Sequence, residues 1–306
     1  MILVTGGSGF IGSNLVEELI SKGHEVRVLD NLDTGKQANI DGFKVDFVQG
    51  DIRNLKTVRE SLKDVECVYH QAALGSVPRS MNDPIESTQV NVIGTLNVLR
   101  AAQDSGVEKI VYASSSSVYG GIEESPKRED METVPISVYG VTKVMNEYYF
   151  RVFYGAHGIK SLGLRYFNVF GPRQSPDSDY AAAIPKFIKM IMNGEQPVIY
   201  GDGEQTRDFT FVKDVVKANM LAMDAAKCDG SAYNIAGGKE VTINSLIHMI
   251  NGFLGKGMEP KYLDPRPGDP KHSLADISRA RDDLGYQPDY TIEDGLKLTI
   301  EWLKGG

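Results

Sequence analysis

The stretch TGGSGFIG at residues 5–12 decides the fold class that we predict for this chain. It joins a short apolar run, residues 2–5, to an amphipathic segment, residues 10–21. That order predicts a buried strand, a tight turn and a helix. Such a turn can be purely structural, or it can bring a phosphate to the free N–H groups at the helix N-terminus.

The spacing of the glycines and an acidic residue downstream favour a dinucleotide site. Gly6 permits the turn, Gly9 lets a pyrophosphate approach the backbone, and Gly12 allows close packing of helix on strand. Asp30 ends the next apolar run, where its carboxylate would accept a hydrogen bond from a ribose 2′-hydroxyl. A carboxylate there would repel a 2′-phosphate, so the sequence predicts NAD rather than NADP.

Short apolar runs and helical patterns alternate through the first half of the chain. We predict strands at 2–5, 25–29, 44–49, 67–70 and 109–113, and helices at 10–21, 55–62 and 90–104. This alternation predicts an α/β fold, a Rossmann-type doubly wound parallel sheet. Residues 1–168 would form the NAD-binding domain. Residues 169–306 would form mainly a smaller C-terminal α/β substrate domain, with some later segments returning to the first. Helices are predicted there near 184–193, 212–226, 243–254, 277–284 and 292–303.

Composition narrows the function classes. The 306 residues carry a net charge of −8, which argues against nucleic acid or an acidic membrane surface as a partner. The two cysteines form neither a disulfide framework nor a metal-ligand cluster, so we expect no metal and a reducing, cytoplasmic location. No signal peptide and no membrane-spanning segment is expected.

A serine run and a Tyr-x-x-x-Lys pattern form the candidate catalytic group. SSSSVYG at 114–120 ends a predicted strand, and VYGVTK at 138–143 opens a helical pattern. Tyr139 and Lys143 are four residues apart, so they share one helix face. A nearby ammonium lowers the pKa of a phenol by about two units, which would bring Tyr139 towards use as a base. A serine hydroxyl at the strand end could hold the same substrate oxygen.

Taken together, the motifs give the chain a clear resemblance to a known enzyme family. It resembles the extended short-chain dehydrogenases/reductases, and among them the UDP-galactose and UDP-N-acetylglucosamine 4-epimerases. The resemblance spans essentially the whole chain and rests on VTGGSGFIGSNL, LDNL, GDI, SSSSVYG, YGVTK, LRYFNVFGPRQ, RDF and RPGDPKHS. It implies an NAD that stays bound while C4 of the sugar is oxidised and reduced again.

The resemblance assigns roles to residues. Ser115, Tyr139 and Lys143 would be catalytic, although Ser114 and Ser116 compete with Ser115 because the serine run blurs the register. Asp51 would contact the adenine edge or simply end a turn, and Phe167 would pack near the nicotinamide or in the core. The expected cofactor contacts are Gly6, Gly9, Phe10, Ile11, Gly12, Asp30, Asn31, Asp51, Ile52, Gln71, Ala72, Ala73, Asn91, Ser114, Tyr139, Lys143, Tyr166 and Phe167.

The resemblance also implies a substrate side. Arg207 and Arg266 would bind the diphosphate, since guanidinium groups suit phosphate oxygens. Asp269 would hold a ribose hydroxyl or orient Arg266, and Ser273 stands where a bulky tyrosine would block an N-acetyl group. The expected substrate contacts are Ser76, Ser115, Ser116, Tyr139, Asn168, Gln174, Arg207, Arg266, Asp269 and Ser273.

These features favour UDP-GlcNAc/UDP-GalNAc interconversion, with UDP-Glc/UDP-Gal also open. Arg79 raises a rival, because it could pair with a uronate carboxylate. Ser116 and Ser117 occupy positions where the related dehydratases carry an acid pair, which disfavours dehydration. A reductase and a non-catalytic dinucleotide sensor remain alternatives. The resemblance further implies a homodimer through a four-helix bundle, in which the apolar region near Leu96, Val98 and Leu99 and the helix that carries Tyr139 would pair with their mates.

Overall fold

The computed structural model describes residues 1–176, 182–265 and 271–305. Its first half alternates strands and helices, as the sequence predicts. In chain order these are β1 (Ile2–Thr5), α1 (Phe10–Ser21), β2 (Val26–Asp30), β3 (Asp46–Gln49), α2 (Leu55–Ser61), β4 (Cys67–His70), α3 (Val77–Asn82), α4 (Pro84–Thr88), α5 (Gly94–Ser105), β5 (Lys109–Ser115), α6 (Val138–His157) and β6 (Lys160–Tyr166).

The second half has shorter strands between its helices. The elements are β7 (Val169–Phe170), α7 (Ala183–Met192), β8 (Val198–Tyr200), β9 (Thr206–Asp208), β10 (Thr210–Phe211), α8 (Val212–Asp224), β11 (Asp229–Ile235), β12 (Glu240–Thr242), α9 (Ile243–Leu254), β13 (Lys261–Leu263), α10 (Ser278–Leu284) and α11 (Ile292–Gly305).

Seven parallel strands of the described chain form the central sheet, in the order β11-β6-β5-β4-β1-β2-β3. The predicted doubly wound Rossmann-type fold is therefore confirmed. Strand order reverses between β1 and β4, and in open α/β sheets ligands bind at the carboxyl ends of the strands beside such a point. The edge strand β11 comes from the second half of the chain and pairs with β6.

Apolar side chains cover both faces of this sheet. One core cluster joins the strands to α1 and α8, and another joins them to α2, α5 and α6. A third cluster packs α7, α9 and α11 around the short strands of the second half. Strands buried on both faces explain the nearly continuous apolar runs in the sequence.

Val98 and Leu99 correct one expectation about the surface. Both side chains are fully buried in the cluster under α2 and α5, so they are core residues rather than the dimer surface suggested by the sequence. The exposed apolar side chains of this region lie elsewhere, on the chain from α3 to α5 and on α6. They are Val77, Met81, Ile85, Ile93, Val141, Tyr148, Val152 and Tyr154.

Candidate active site

A cavity of about 290 Å³ lies at the carboxyl ends of the central strands. It begins beside the end of β2, passes the N-terminus of α1, and reaches the end of β5 and the first turns of α6. Most of the predicted cofactor residues line it. Those that do are Gly6, Gly9, Phe10, Ile11, Gly12, Asp30, Asn31, Asp51, Ile52, Gln71, Ala72, Ala73, Ser114, Tyr139, Lys143 and Tyr166.

The glycine turn is closely packed, which explains its composition. Gly6 has a φ of +69°, and a Cβ there would lie 2.7 Å from the backbone nitrogen of Ala72. A Cβ on Gly12 would lie 2.1 Å from the carbonyl oxygen of Gly6. Helix α1 starts directly after Gly9, so its first N–H groups border the cavity. The first turn of a helix has unpaired N–H groups and a positive dipole end, which together favour a pyrophosphate.

Asp30 is fixed at the end of β2 by the backbone. Its carboxylate accepts hydrogen bonds from the N–H groups of Ser8 (2.9 Å) and Leu32 (2.8 Å). Burial raises the pKa of Asp30, although the two N–H donors oppose this shift. The anchored carboxylate still borders the cavity, where a ribose hydroxyl could donate to it.

Asp51 forms a small polar cluster at the same end of the cavity. Arg53 contacts it through two guanidinium nitrogens, and Asn31 donates to it at 3.0 Å. The bonds from Arg53 lower the pKa of Asp51 to about 2, so the carboxylate is charged at neutral pH. A glycine cradle at a helix N-terminus, followed by two anchored carboxylates, fits the pyrophosphate and adenosine portions of NAD.

The three predicted catalytic residues meet at the other end. Ser115 ends β5 and shares a side-chain hydrogen bond with Tyr139, which lies in the first turn of α6. Ser137 caps this helix by accepting from the N–H of Gly140 at 3.1 Å. The Lys143 ammonium, one turn further along, donates to the carbonyl of Ala113 at 2.8 Å. The side chain of Lys143 is almost fully buried.

The pKa values in this group differ from the expectation. Burial raises the pKa of Tyr139, and only the Ser115 hydrogen bond opposes that shift. The Lys143 ammonium donates to the Ala113 carbonyl, and its charge is not among the causes that shift the pKa of Tyr139 in this structure. Burial in turn lowers the pKa of Lys143 to about 8, against the charge of Glu147, which raises it.

The structure distinguishes the serines of the run. Ser114 donates to the carboxylate of Glu147 at 2.6 Å and is buried, so it is already committed to a protein partner. Ser115 shares a hydrogen bond with Tyr139, and its Oγ also donates to the Ser117 hydroxyl and accepts from the Ser117 N–H, each at 3.1 Å. Ser116 lies half-buried in the short 3₁₀ turn Ser116–Val118 that follows β5. Ser114 lines the cavity and Ser115 does not, but Ser115 is the serine that shares a hydrogen bond with Tyr139, and this contact favours Ser115 as the catalytic serine.

Two predicted cofactor residues do not line the cavity. Asn91 is fully buried and bridges the chain, accepting from the N–H of Leu74 at 2.8 Å and donating to Thr142. Phe167 is also fully buried, in a core cluster where its ring lies 6.1 Å from the ring of Tyr119. Asn91 therefore supports the cavity wall from behind. For Phe167 this position favours packing in the core over contact with the nicotinamide.

A second cavity, of about 230 Å³, lies beside the short strands of the second half. Asn168 and Arg207 line it, together with apolar and aromatic side chains from β7, α7 and β8. Asn168 has a φ of +37°, and its amide donates to the carbonyl of Asp208 at 2.9 Å. The same amide lies 3.4 Å from the Ser273 hydroxyl, which is buried. The side chains of these three predicted substrate residues thus lie in one neighbourhood.

The other predicted substrate residues have varied positions. Ser76 caps α3 by accepting from the N–H of Arg79 at 3.1 Å. Gln174 donates to the carbonyl of Val169 at 3.0 Å. Arg266 and Asp269 lie outside the described residues.

Several cavity residues escaped the sequence reasoning. Asp33, Thr34, Arg53 and Glu86 line the adenosine end of the first cavity, and Gln205 lines the second. Asp33, Thr34 and Arg53 come a few residues after predicted strand ends, whereas Glu86 follows no predicted strand closely. Within the described ranges, no group of three or more His, Cys, Asp or Glu side chains is arranged to hold a metal ion. None of the described helices is long and apolar enough to cross a membrane.

Comparison with known proteins places this geometry in a family. The model of the NAD dependent epimerase/dehydratase family matches residues 2–236. The solved UDP-N-acetylglucosamine 4-epimerase of Methanobrevibacter ruminantium, in complex with UDP-N-acetylmuramic acid, is 42% identical with a TM-score of 0.95. The match covers 99% of this chain and 98% of that one.

Two further relatives show the range of the family. The structure of the Thermus thermophilus UDP-glucose 4-epimerase in complex with NAD is 35% identical, with a TM-score of 0.92, and the match covers 100% of this chain and 99% of that chain. The UDP-glucuronate 4-epimerase of Thermodesulfobacterium geofontis is 34% identical, over 99% of this chain and 95% of the relative. The predictions of the family and of its NAD cofactor are confirmed, and the chain belongs to the NAD-dependent epimerase/dehydratase family.

Proposed function

We propose that this protein is a UDP-sugar 4-epimerase that keeps its NAD through the catalytic cycle. The observation that carries the proposal is the grouping of Ser115 with Tyr139 and Lys143, of which Tyr139 and Lys143 line the far end of the cofactor cavity. Ser116 and Ser117 follow Ser115, so no carboxylate stands directly after the serine to move protons at C5 or C6. This absence of an acid favours epimerisation over dehydration.

The roles of the side chains follow from their chemistry. NAD, when bound, supplies the hydride acceptor and, later, the donor. The Tyr139 phenolate accepts the proton of the sugar 4-hydroxyl, and the Ser115 hydroxyl donates a hydrogen bond to the same oxygen. The Lys143 ammonium, within one helical turn, stabilises the phenolate. In the return step the same phenol delivers its proton to the oxygen on C4.

We propose UDP-GlcNAc/UDP-GalNAc as the preferred pair. The second cavity offers a guanidinium, Arg207, for a diphosphate and an amide, Asn168, for a polar group of the substrate. Ser273 lies 3.4 Å from the Asn168 amide, and by the resemblance it stands where a bulky tyrosine would block an N-acetyl group. Activity on UDP-Glc and UDP-Gal is compatible with this site, because a pocket with spare room does not exclude the smaller sugar.

The uronate alternative has less support from the geometry. Arg79 lies on α3, where its guanidinium already contacts the carboxylates of Asp33 (3.0 Å) and Glu86 (3.1 Å). These two pairs would have to break before Arg79 could bind a sugar carboxylate. We therefore rank UDP-glucuronate below the N-acetylated sugars.

We also propose a homodimer in which α6 and the chain from α4 to α5 pair with their mates. Val141, Tyr148 and Val152 are spaced by seven and four residues on α6 and are 42%, 60% and 60% exposed. Ile85 on α4 is 70% exposed. Val152→Glu should convert the dimer to a monomer in sedimentation, whereas Lys256→Glu, at an exposed position after α9, should leave it unchanged. A wild-type monomer at all concentrations would exclude the dimer.

The function is tested by a product assay on the purified protein. UDP-GlcNAc, UDP-Glc and UDP-GlcA are incubated separately, with and without added NAD, and the sugars are separated by chromatography. The proposal predicts a C4 epimer without added NAD, fastest from UDP-GlcNAc. No epimer from any of the three sugars would contradict the function. A preference for UDP-GlcA would contradict only the substrate assignment.

A further inference from the structure

A buried ion pair lies directly behind the catalytic lysine and has no part in the reaction described above. Glu147 follows Lys143 by one turn of α6, and Arg165 faces it from β6. Arg165 donates to the two carboxylate oxygens at 2.9 and 2.7 Å. The side chains of Glu147 and Arg165 are only 5% and 3% exposed.

The pair belongs to a larger hydrogen-bonded cluster. Ser114 donates to Glu147 at 2.6 Å, and Arg165 donates to the Tyr119 hydroxyl at 2.7 Å. That hydroxyl in turn donates to the amide oxygen of Asn234 at 2.7 Å. The cluster therefore joins α6 to three neighbouring strands, β5, β6 and β11.

Stability alone does not explain this arrangement. Two buried charges lose hydration, and a well-packed apolar pair of similar volume is often as stable or more stable. An ion pair with both carboxylate oxygens hydrogen-bonded does, however, fix the position of its neighbours and the sign of the local charge. The position of the Glu147–Arg165 pair indicates that the neighbours it fixes are Lys143 on α6 and the end of β5.

Glu147 is tied to the catalytic group by two routes. Along α6, Tyr139, Lys143 and Glu147 follow at intervals of four, so they lie on one helix face. Across to β5, Glu147 holds Ser114, the residue between the carbonyl that accepts from Lys143 and the serine that contacts Tyr139. A displaced Glu147 would move both ends of the Ser115–Tyr139–Lys143 group.

The charges around Lys143 also favour a role for Glu147 in the catalytic group. The groups that face it are Tyr139 and Glu147 on α6 and His70 on β4, with Arg165 on β6 behind Glu147. Burial lowers the pKa of His70 to about 3, so the imidazole is neutral. Glu147 is therefore the negative charge that balances both Lys143 and Arg165 in this part of the site.

We propose that Glu147 is a positioning residue: its carboxylate, held by Arg165 and Ser114, keeps Lys143 in its charged form and fixes the end of β5 against Tyr139. The inference rests on the proposed function, since it assigns a role within that catalytic group. Glu147 would act through its charge and its hydrogen bonds, although it lines neither of the two cavities.

The first test compares pH profiles of kcat for the NAD-loaded enzyme. Glu147→Gln keeps the size and an acceptor for Ser114 but leaves Arg165 as an uncompensated charge. We expect the alkaline limb of the profile to move to lower pH by about one unit, because an unbalanced neighbouring cation disfavours the charged lysine. Asp104→Asn, which removes the exposed ion pair with Arg59, is the matched control and should leave the profile unchanged.

A double variant separates positioning from simple stability. Glu147→Gln/Arg165→Met removes both buried charges, so it should fold even where the single variant does not. We expect its alkaline limb still to lie below that of the wild type, since the negative charge near Lys143 is missing. A purely structural role predicts instead that the double variant regains the wild-type profile. Ser114→Ala should lower kcat without moving the limb.

A second measurement needs no sugar. The ultraviolet absorbance of tyrosinate is titrated in each protein and in its Tyr139→Phe derivative, and the difference reports Tyr139. Glu147→Gln should move this titration to higher pH, because an end of β5 that is no longer fixed weakens the Ser115 hydrogen bond, which lowers the pKa of Tyr139. An unchanged Tyr139 titration together with an unchanged kcat profile in folded Glu147 variants would overturn the inference. Lack of epimerase activity in the wild type would contradict the proposed function alone, since the titration would still test Glu147.

Discussion

The ammonium nitrogen of Lys143 lies 5.7 Å from the centre of the Tyr139 ring, one turn further along α6. The two residues are close enough for their charges to interact, yet in this structure burial raises the pKa of Tyr139 and lowers that of Lys143 to about 8. At neutral pH the phenol is therefore protonated and the lysine is still mostly charged. Catalysis by this pair depends on whatever adds positive charge near Tyr139 or negative charge near Lys143.

The pH dependence of kcat follows from Lys143. Its pKa in the folded protein is about 8, below the ordinary lysine value, so the ammonium loses its proton as pH rises through about 8. A neutral amine no longer stabilises the Tyr139 phenolate. We predict that kcat falls above about pH 8, as measured by initial rates with saturating UDP-sugar. A rate that stays level to the ordinary lysine pKa would show that the charge on Lys143 is not required.

Removal of the Tyr139 hydroxyl should abolish proton transfer and spare cofactor binding. We predict that Tyr139→Phe lowers kcat by about 10²–10⁴-fold, the usual contribution of general acid–base catalysis. The NAD content of the purified variant should equal that of the wild type. Tyr154→Phe, at an exposed position of the same helix, is the control and should retain full activity. Near-normal turnover by Tyr139→Phe would exclude this tyrosine as the base.

Ser273 should decide whether an N-acetyl group fits. We predict that Ser273→Tyr lowers kcat/KM for UDP-GlcNAc by at least about 100-fold, since a bulky ring would occupy the space beside Asn168. The value for UDP-Glc should change only a few-fold. Ser273→Ala, which removes the hydroxyl but not the space, should keep both activities. Equal losses on both sugars would mean that the ring disrupts the pocket generally.

The glycine turn should not tolerate a side chain at Gly12. A Cβ there would lie 2.1 Å from the Gly6 carbonyl oxygen, so the turn must shift away from its present position. We predict that Gly12→Ala loses bound NAD and lowers the melting temperature. Gly155→Ala, with no heavy atom within 4 Å of the new Cβ on α6, should keep its NAD and be as stable or slightly more stable. Full NAD content in Gly12→Ala would contradict the role given to this turn.

The sequence predicted the first half of the fold well for a physical reason. Buried parallel strands need apolar runs and amphipathic crossover helices, so β1, β4 and α1 have the predicted bounds. β11 was not predicted, because YNI at residues 233–235 mixes a buried polar Asn234 with apolar neighbours and pairs only with a distant strand. The short strands of the second half are mostly two or three residues long, below the length at which periodicity is visible.

The candidate site could be predicted where its residues stand at fixed spacings in a local sequence motif. Gly6, Gly12, Asp30, Tyr139 and Lys143 follow motifs, and the structure brings them to one cavity. The serine register was not predictable, since only the fold shows that Ser114 turns to Glu147 while Ser115 turns to Tyr139.

The raised pKa of Tyr139 could not be predicted from the sequence either. The shift comes from burial, which the Ser115 hydrogen bond opposes, and spacing reveals neither. The four-residue spacing predicts that the two ionisable groups are close, whereas their burial and hydrogen-bond partners follow only from the fold.

The central claim is that C4 of the sugar is oxidised and reduced within one closed site, and an isotope experiment tests it most directly. UDP-GlcNAc carrying deuterium at C4 is incubated with the purified protein without added NAD, and the epimer is examined by NMR and mass spectrometry. We predict that the epimer retains the deuterium at C4, because the same hydrogen is removed and returned without contact with solvent. Replacement of the deuterium by solvent hydrogen would contradict the account.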